Sequence, residues 1–252
     1  MTVKSDKELK LLINSGKILS SVLIRLKNEA RPGINLKYLD NLAYKLITDA
    51  GAEPAFLNYQ PAGAREPYPA SLCASVNDVI VHGRPDDYKL KNGDLLKLDL
   101  GVNYQGFLTD AAFTIGIGAI SGQNKLLIAT TAEALSAGIK AAVSGNTIGD
   151  IGFAIESVVK KTNFKIVDML TGHGTGRKLH EEPAVYNFGR PGEGLKLKKG
   201  MVLAIEPMVS VGASAVKQLA DDSFAVKDKS FSAHFEKTII VDDNQPLILT
   251  KF

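Results

Sequence analysis

The chain has 252 residues, 45% of them hydrophobic, enough to bury a sizeable core as one large domain or two small ones. Thirty Lys and Arg against 27 Asp and Glu leave a formal charge of +3, which argues against a nucleic-acid footprint or a polyanionic partner. Cys73 is the only cysteine, so an internal disulfide is excluded and a reducing, cytoplasmic setting is expected. The amino terminus lacks the apolar core of a signal peptide, and no apolar run is long enough to span a bilayer.

Ser5-x-x-Glu8 predicts a capping box, and Leu9, Leu12, Ile13, Gly16, Leu19, Leu23 and Leu26 keep helical spacing until Arg31-Pro32-Gly33 stops the run. A helix is expected from about Ser5 to Glu29. A second amphipathic helix starts at Asn35, with Leu36, Leu39, Leu42, Ala43, Leu46 and Ile47 on its apolar side, and ends near Gly51. Pro54, Pro61, Pro67 and Pro69 make Ala52 to Ala70 a long connection, which in a compact domain is more often functional than idle. Strand-like residues resume at 71–76 and 79–81, followed by His82-Gly83-Arg84-Pro85.

From Leu95 to Phe113 the pattern predicts a β-hairpin with one acid on each strand. Leu96, Leu98, Leu100 and Val102 alternate with Lys97, Asp99 and Gly101, and a second strand begins at Phe107. Asn103-Tyr104-Gln105-Gly106 suits a type I turn, which sets Val102 opposite Phe107 and Asp99 directly opposite Asp110. Opposed residues on an antiparallel pair have Cβ atoms roughly 4.5–5.5 Å apart, where like charges are destabilising. At an effective dielectric near 20 the repulsion is on the order of 3 kcal/mol, to be met by a shared proton, a basic partner or a bound cation.

The pattern then starts again. An Ala-rich helix is expected from Gln123 to Val143, and Thr147-x-x-Asp150 opens another that runs to about Lys161. Lys89-Leu90-Lys91-Asn92-Gly93-Asp94-Leu95-Leu96-Lys97-Leu98-Asp99 is echoed by Lys196-Leu197-Lys198-Lys199-Gly200-Met201-Val202-Leu203-Ala204-Ile205-Glu206, so Glu206 stands where Asp99 stood. A later strand, 233–241, puts Glu236 where a partner for Glu206 belongs. The expected organisation is α+β, one catalytic domain over 1–252, with two similar α/β halves (about 5–120 and 121–252) whose hairpins meet about a pseudo-twofold axis. Four carboxylates then converge.

His173 lies in Thr171-Gly172-His173-Gly174-Thr175-Gly176-Arg177, whose glycines match neither the dinucleotide fingerprint nor the P-loop. One imidazole with four carboxylates makes an oxygen-rich site suited to Mn, Fe(II), Co or Zn, and the charges balance two divalent ions. Two ions roughly 3.5–4 Å apart can share a water and lower its pKa into the neutral range, which is hydrolytic machinery. Glu206 is then the candidate general base, and His82 and His180, each in a Pro- or Gly-punctuated loop, become candidates for hydrogen bonding to substrate.

The runs SLCASVNDVIVHG, LDLGVNYQGFLTD, GHGTGRKLHEEP, AIEPM and SAHFEKTIIV, in this order, resemble methionine aminopeptidases of the type I, bacterial-like class. The resemblance implies the pita-bread (creatinase/aminopeptidase) fold, two halves around a dinuclear centre. It also implies removal of the initiator methionine from nascent chains with a small second residue, by a monomer that meets its substrate at the ribosome. Carried over residue by residue, Asp99, Asp110, His173, Glu206 and Glu236 match the metal ligands, with Asp110 and Glu236 bridging. His82 and His180 match the substrate-contacting histidines, and Tyr68 and Cys73 match the wall of the methionine pocket. Asn77, Val79 and Ser232 fall where some members bind a monovalent cation. Leu179 stands in place of an aromatic residue, and Phe224 is the expected substitute for a Trp of some members. A proline-directed peptidase is the competing expectation on the same fold.

Overall fold

The computed structural model describes every residue except Ala62. Its helices are α1 (Asp6–Glu29), α2 (Leu36–Asp49), α3 (Gly122–Ala141) and α4 (Ile148–Val159). Ser5 caps α1 by accepting from Glu8 N–H, but the reciprocal half of the expected box is not made. The Glu8 carboxylate accepts instead from Lys4 N–H at 2.7 Å and meets Arg177 at 2.9 Å, a cation that outcompetes the cap amide. In α4 the box is complete: the Thr147 hydroxyl accepts from Asp150 N–H and the Asp150 carboxylate accepts from Thr147 N–H.

Each helix pair covers one sheet. Leu19, Leu23 and Leu26 of α1 and Leu39 and Ile47 of α2 pack on Leu96, Leu98, Leu100 and Val102. Leu127 and Ile139 of α3 and Ile151 and Ile155 of α4 pack on Leu203, Ile205 and Ile239. The first sheet centres on the strand Leu95–Tyr104, paired with Phe107–Gly116 on one side and with Leu72–Val76 and Glu53–Pro54 on the other. The second runs Leu247–Ile248, Lys237–Ile240, Val202–Ile205, Gly172–Gly174, Glu181–Val185.

The echo in the sequence is an echo in hydrogen bonding. Gly33 N–H donates to Leu90 O as Gly145 N–H does to Leu197 O, and Leu36 N–H to Tyr88 O as Ile148 N–H to Leu195 O. Gly93 N–H donates to Ile117 O as Gly200 N–H does to Val241 O. The halves are pseudo-symmetric, but in the second the strands leading to Glu206 and following Glu236 are not joined as a hairpin. Lys237 opposes Ile205, yet the two strands are joined through a long excursion, and the strand expected over 233–241 is broken at Phe235-Glu236 into Ser232–His234 and Lys237–Ile240.

The hairpin register differs from the expectation. Tyr104 faces Phe107, Gly101 faces Asp110 and Asp99 faces Ala112. The turn is Gln105-Gly106, with φ of +53° and +80°, the two-residue primed turn that matches strand twist. Asn103 takes no central position; its side chain accepts from Gly106 N–H. The two aspartates are therefore diagonal neighbours, but they keep the same face, because side-chain direction depends only on parity along the strand.

The halves meet at several places, and one seam runs beside the acids. Ala112 and Glu236 exchange backbone hydrogen bonds of 2.8 and 3.4 Å. On one side, the Thr238 hydroxyl accepts from Asp110 N–H at 2.8 Å and donates to Asp110 O at 2.7 Å. On the other, the Thr114 hydroxyl accepts from His234 N–H and donates to His234 O, both at 2.8 Å. A threonine hydroxyl from each half thus stands in for the backbone partner that the diverging strands no longer supply, and Phe235 packs into both cores. Thr238→Val leaves buried Asp110 N–H and O without partners, at a cost of about 2 kcal/mol or more. The midpoint of urea unfolding should drop accordingly; an unmoved midpoint would show that the hydroxyl does not hold the seam.

Candidate metal centre

The seam fixes which side chains meet. Laterally across the joined sheets run Cys73, Asp99, Ala112 and Glu236; the next row holds Gly101, Asp110, Thr238, Ala204 and His173. Neighbours in a row share a face, and rows two residues apart share it too, so Asp99, Asp110, His173 and Glu236 all project into one space. Small residues alternate with them. A Cβ on Gly101 would lie 2.7 Å from the Phe56 ring, so glycine there admits an aromatic side chain beside the acids.

Asp110, His173 and Glu236 offer ligand atoms that all lie within 4.8 Å of one another. His173 Nε2 is 3.4 Å from Glu206 Oε1 and 3.9 Å from Asp110 Oδ2. Asp99, Asp110, Glu206 and Glu236 are buried. Among the described residues, Asp99 Oδ1, Asp110 Oδ1 and Glu236 Oε1 are buried acceptors without a donor. Buried anions unmatched by any donor are what a cation satisfies, and an oxygen-rich set with one imidazole fits the divalent ions expected from the sequence.

The electrostatics agree. Burial, then the charges of Asp99 and Glu206, pushes Asp110 well above the usual carboxylate range. Burial does the same to Glu206, and burial followed by Asp110 and Glu206 does it to Glu236. Burial lifts Asp99 to about 7 against the opposing pull of His234. The histidines move the other way. Burial, followed by repulsion from His180, brings His173 to about 3 and His82 to about 4, and burial lowers His180 as well, so each is a neutral imidazole at neutral pH.

A cavity of about 900 Å³ opens above these groups, lined among others by Tyr68, Cys73, His82, His180 and the acids. The His180 ring packs edge-on to His173 at 4.5 Å between centroids, and its Nδ1 is 2.9 Å from Tyr59 Oη. His82 sits at φ +58°, in the left-handed region few side chains tolerate, and packs against the Phe224 ring at 5.8 Å. Phe224 thus backs His82 and is absent from the cavity lining, unlike the expected Trp substitute. Tyr68 Oη lies 2.9 Å from Gly83 O and 3.1 Å from Leu72 O, so its ring is held in place beside Cys73. Cys73, Phe56 and Leu179 form a small apolar cluster with Tyr59, Tyr68 and Leu108 around it.

Three contributors were not singled out in the sequence. Tyr59 orients His180, and Phe56 fills the space above Gly101. His234 Nε2 lies 3.3 Å behind Glu206 Oε2, without hydrogen-bond geometry. Its signal was present, since two residues before Glu236 on an alternating strand is the same face. Asn77 and Ser232 do come together, but their oxygens are occupied. Lys97 Nζ lies 2.6 Å from Asn77 O and 3.3 Å from both Ser232 O and Ser232 Oγ. Burial pulls Lys97 down to about 7 against the attraction of Asp78 and Asp94, while three acceptors around one nitrogen match the three hydrogens of an ammonium.

Residues 10–243 match metallopeptidase family M24. A methionine aminopeptidase of Clostridium perfringens is 45% identical over 250 residues, covering 98% of each chain. The crystal structure of methionine aminopeptidase from Rickettsia prowazekii superposes with a TM-score of 0.94 at 35% identity, covering 100% of both chains. A prolidase from Pyrococcus furiosus superposes with a TM-score of 0.78 at 20% identity, over 100% of this chain and 66% of that one, a likeness of fold.

A carboxyl with a raised folded pKa keeps its proton in the folded, metal-free protein at a pH where the unfolded chain has released it. The stability it contributes is therefore lost as pH rises through the folded value. A cation displaces those protons, so the rise in melting temperature on adding Mn²⁺ to chelator-stripped protein should be larger at about pH 7.5 than at about pH 5.5. A rise independent of pH would mean that the acids are already ionised without metal.

Proposed function

The chain belongs to metallopeptidase family M24, and on that footing we propose that Asp99, Asp110, His173, Glu206 and Glu236 hold two divalent cations, with Asp110 and Glu236 bridging them. It is a metal-dependent aminopeptidase that removes the amino-terminal methionine from peptides and nascent proteins whose second residue is small. The observation that carries the assignment of residues is the convergence of four buried carboxylates and one imidazole on the floor of a cavity with an apolar recess beside it.

Bound divalent ions supply Lewis-acid polarisation of the scissile carbonyl and a water acidified to near neutrality. Glu206, in the cavity lining, is placed to take up a proton from an attacking water on a carboxylate oxygen and to return it to the leaving amine. His180, with Nδ1 accepting from Tyr59, carries its proton on Nε2 and donates it as a hydrogen bond to the substrate carbonyl. His82, also neutral, lines the same cavity and offers a second hydrogen bond, toward the leaving nitrogen.

Tyr68 and Cys73, with Phe56 and Leu179, enclose the methionine side chain. Burial pushes the Cys73 thiol well above its ordinary value, so it stays an uncharged, polarizable neighbour for a thioether. Leu179 and Phe56 together supply the apolar wall expected of an aromatic residue before the second histidine. We take the chain to work as a monomer in the cytoplasm, on chains emerging from the ribosome. The single cysteine, buried and unpaired, fits a reducing compartment.

The test is methionine release from Met-Ala-Ser and Met-Leu-Ser by protein stripped with chelator and then titrated with Mn²⁺, Fe²⁺, Co²⁺ or Zn²⁺. Metal-dependent cleavage of the first peptide only is expected; cleavage of Xaa-Pro peptides in preference to either would move the assignment to a proline-directed peptidase. Asp110→Asn should lose the bridge and nearly all turnover while keeping the far-ultraviolet circular dichroism of the parent. Full turnover in that variant would remove Asp110 from the ligand set.

A further inference from the structure

Among the described residues, Lys97 is the largest fully buried side chain, 1% exposed, and no carboxylate forms a salt bridge with it. Its nitrogen ends among oxygens. Asn77 O, in the turn between Leu72–Val76 and Val79–Val81, receives Lys97 Nζ at 2.6 Å, Ser232 Oγ at 3.0 Å and Ser232 N–H at 3.1 Å. Ser232 returns two acceptors, its carbonyl and its hydroxyl, to the same nitrogen at 3.3 Å. A cluster of carbonyl and hydroxyl oxygens around one positive centre is the coordination chemistry of a monovalent cation, here met by a cation that is part of the chain.

The position matters because of what flanks it. Lys97 lies two residues before Asp99 on one strand, and Ser232 lies two residues before His234 and four before Glu236 on a strand of the other half. The ammonium therefore bridges the halves at one end of the seam, as Thr238 does at the other. The resemblance to aminopeptidases assigns a free monovalent cation to Asn77, Val79 and Ser232. In this protein the Lys97 side chain occupies the oxygens of two of those residues, Asn77 and Ser232.

We propose that Lys97 is a tethered replacement for a monovalent cation, a positioning residue whose ammonium fixes the Ser232–Glu236 segment against Asp99 so that ligands from both halves keep their spacing. The protein itself has no monovalent-ion requirement, whereas Lys97→Ala opens a pocket of oxygens that K⁺, Tl⁺ or NH₄⁺ can enter. The kinetic readout rests on the aminopeptidase reading; the ion-binding readout does not.

In choline buffer free of alkali ions, the Mn²⁺-loaded wild-type enzyme should release methionine from Met-Ala-Ser as fast as in K⁺ buffer, and ²⁰⁵Tl resonance should detect no bound ion. Lys97→Ala in choline should lose turnover by about 100-fold, the effect of misplacing catalytic groups by about 1 Å. It should bind Tl⁺ and regain turnover with added K⁺ or NH₄⁺ but not with tetramethylammonium, while Lys97→Met, which fills the space without charge, regains nothing. Dependence of the wild type on K⁺, stoichiometric Tl⁺ binding to it, or full turnover of Lys97→Ala in choline would each overturn the proposal. If Lys97→Ala fails to fold, Tl⁺ binding by the wild type decides. If the wild type releases no methionine with any divalent ion, the aminopeptidase reading fails and the thallium measurement still decides this one.

Discussion

The structure depends on a row of three residue pairs where strands of the two halves meet beside the acids. Asp110 with Thr238, Ala112 with Glu236 and Thr114 with His234 bring the strands of the two halves edge to edge beside the acids, and further contacts between the halves, such as Val79–Val81 on Phe224–Val226, surround them. Only the middle pair exchanges ordinary backbone hydrogen bonds. In the outer two a threonine hydroxyl, one from each half, both accepts and donates. This arrangement lets the strands diverge without orphaning buried amides, and the divergence leaves a concave space for the ligand side chains.

The two cores and the centre pull in opposite directions. Leucines and isoleucines under each helix pair drive assembly without reference to the acids, which are buried next to one another with oxygens unmatched. Such a cluster is tolerated because the apolar burial around it is large, and because protons or cations can enter it. The histidines follow the same burial to the opposite result. Desolvation that raises the carboxylates lowers the imidazoles, so one physical cause favours the uncharged form of both.

Parity and composition made much of this legible, and local dihedral angles set the limit. The alternation in Leu95–Val102 fixed the face of Asp99, and the second-half echo located Glu206. The register was misjudged because Gln105, with no glycine-like signature, takes φ +53° and moves the turn by one residue. The acids still share a face because the two-residue change in pairing preserves parity. Tyr59 was hidden in the Pro-rich connection, whose path no periodicity describes. Lys97 was the harder case: a lysine alternating with leucines reads as the solvent side of a half-buried strand, and only the second half of the chain covers it. Phe224 was expected in the pocket on positional grounds and lies one layer behind.

Cys73 and Asp99 are paired residues on adjacent strands, so the wall proposed to recognise the departing side chain and the carboxylate proposed to hold a cation are anchored to the same pair of backbone segments. Selectivity and metal preference are consequently not independent traits. A descendant that widened its recess at Cys73 to admit a bulkier residue would disturb its own cofactor site in the same step. A compensating change near Asp99 would feed back on the recess. Divergence from this scaffold toward other amino-terminal residues is thus channelled through Tyr68 and Leu179, since Phe56 packs on Gly101 of the strand that carries Asp99.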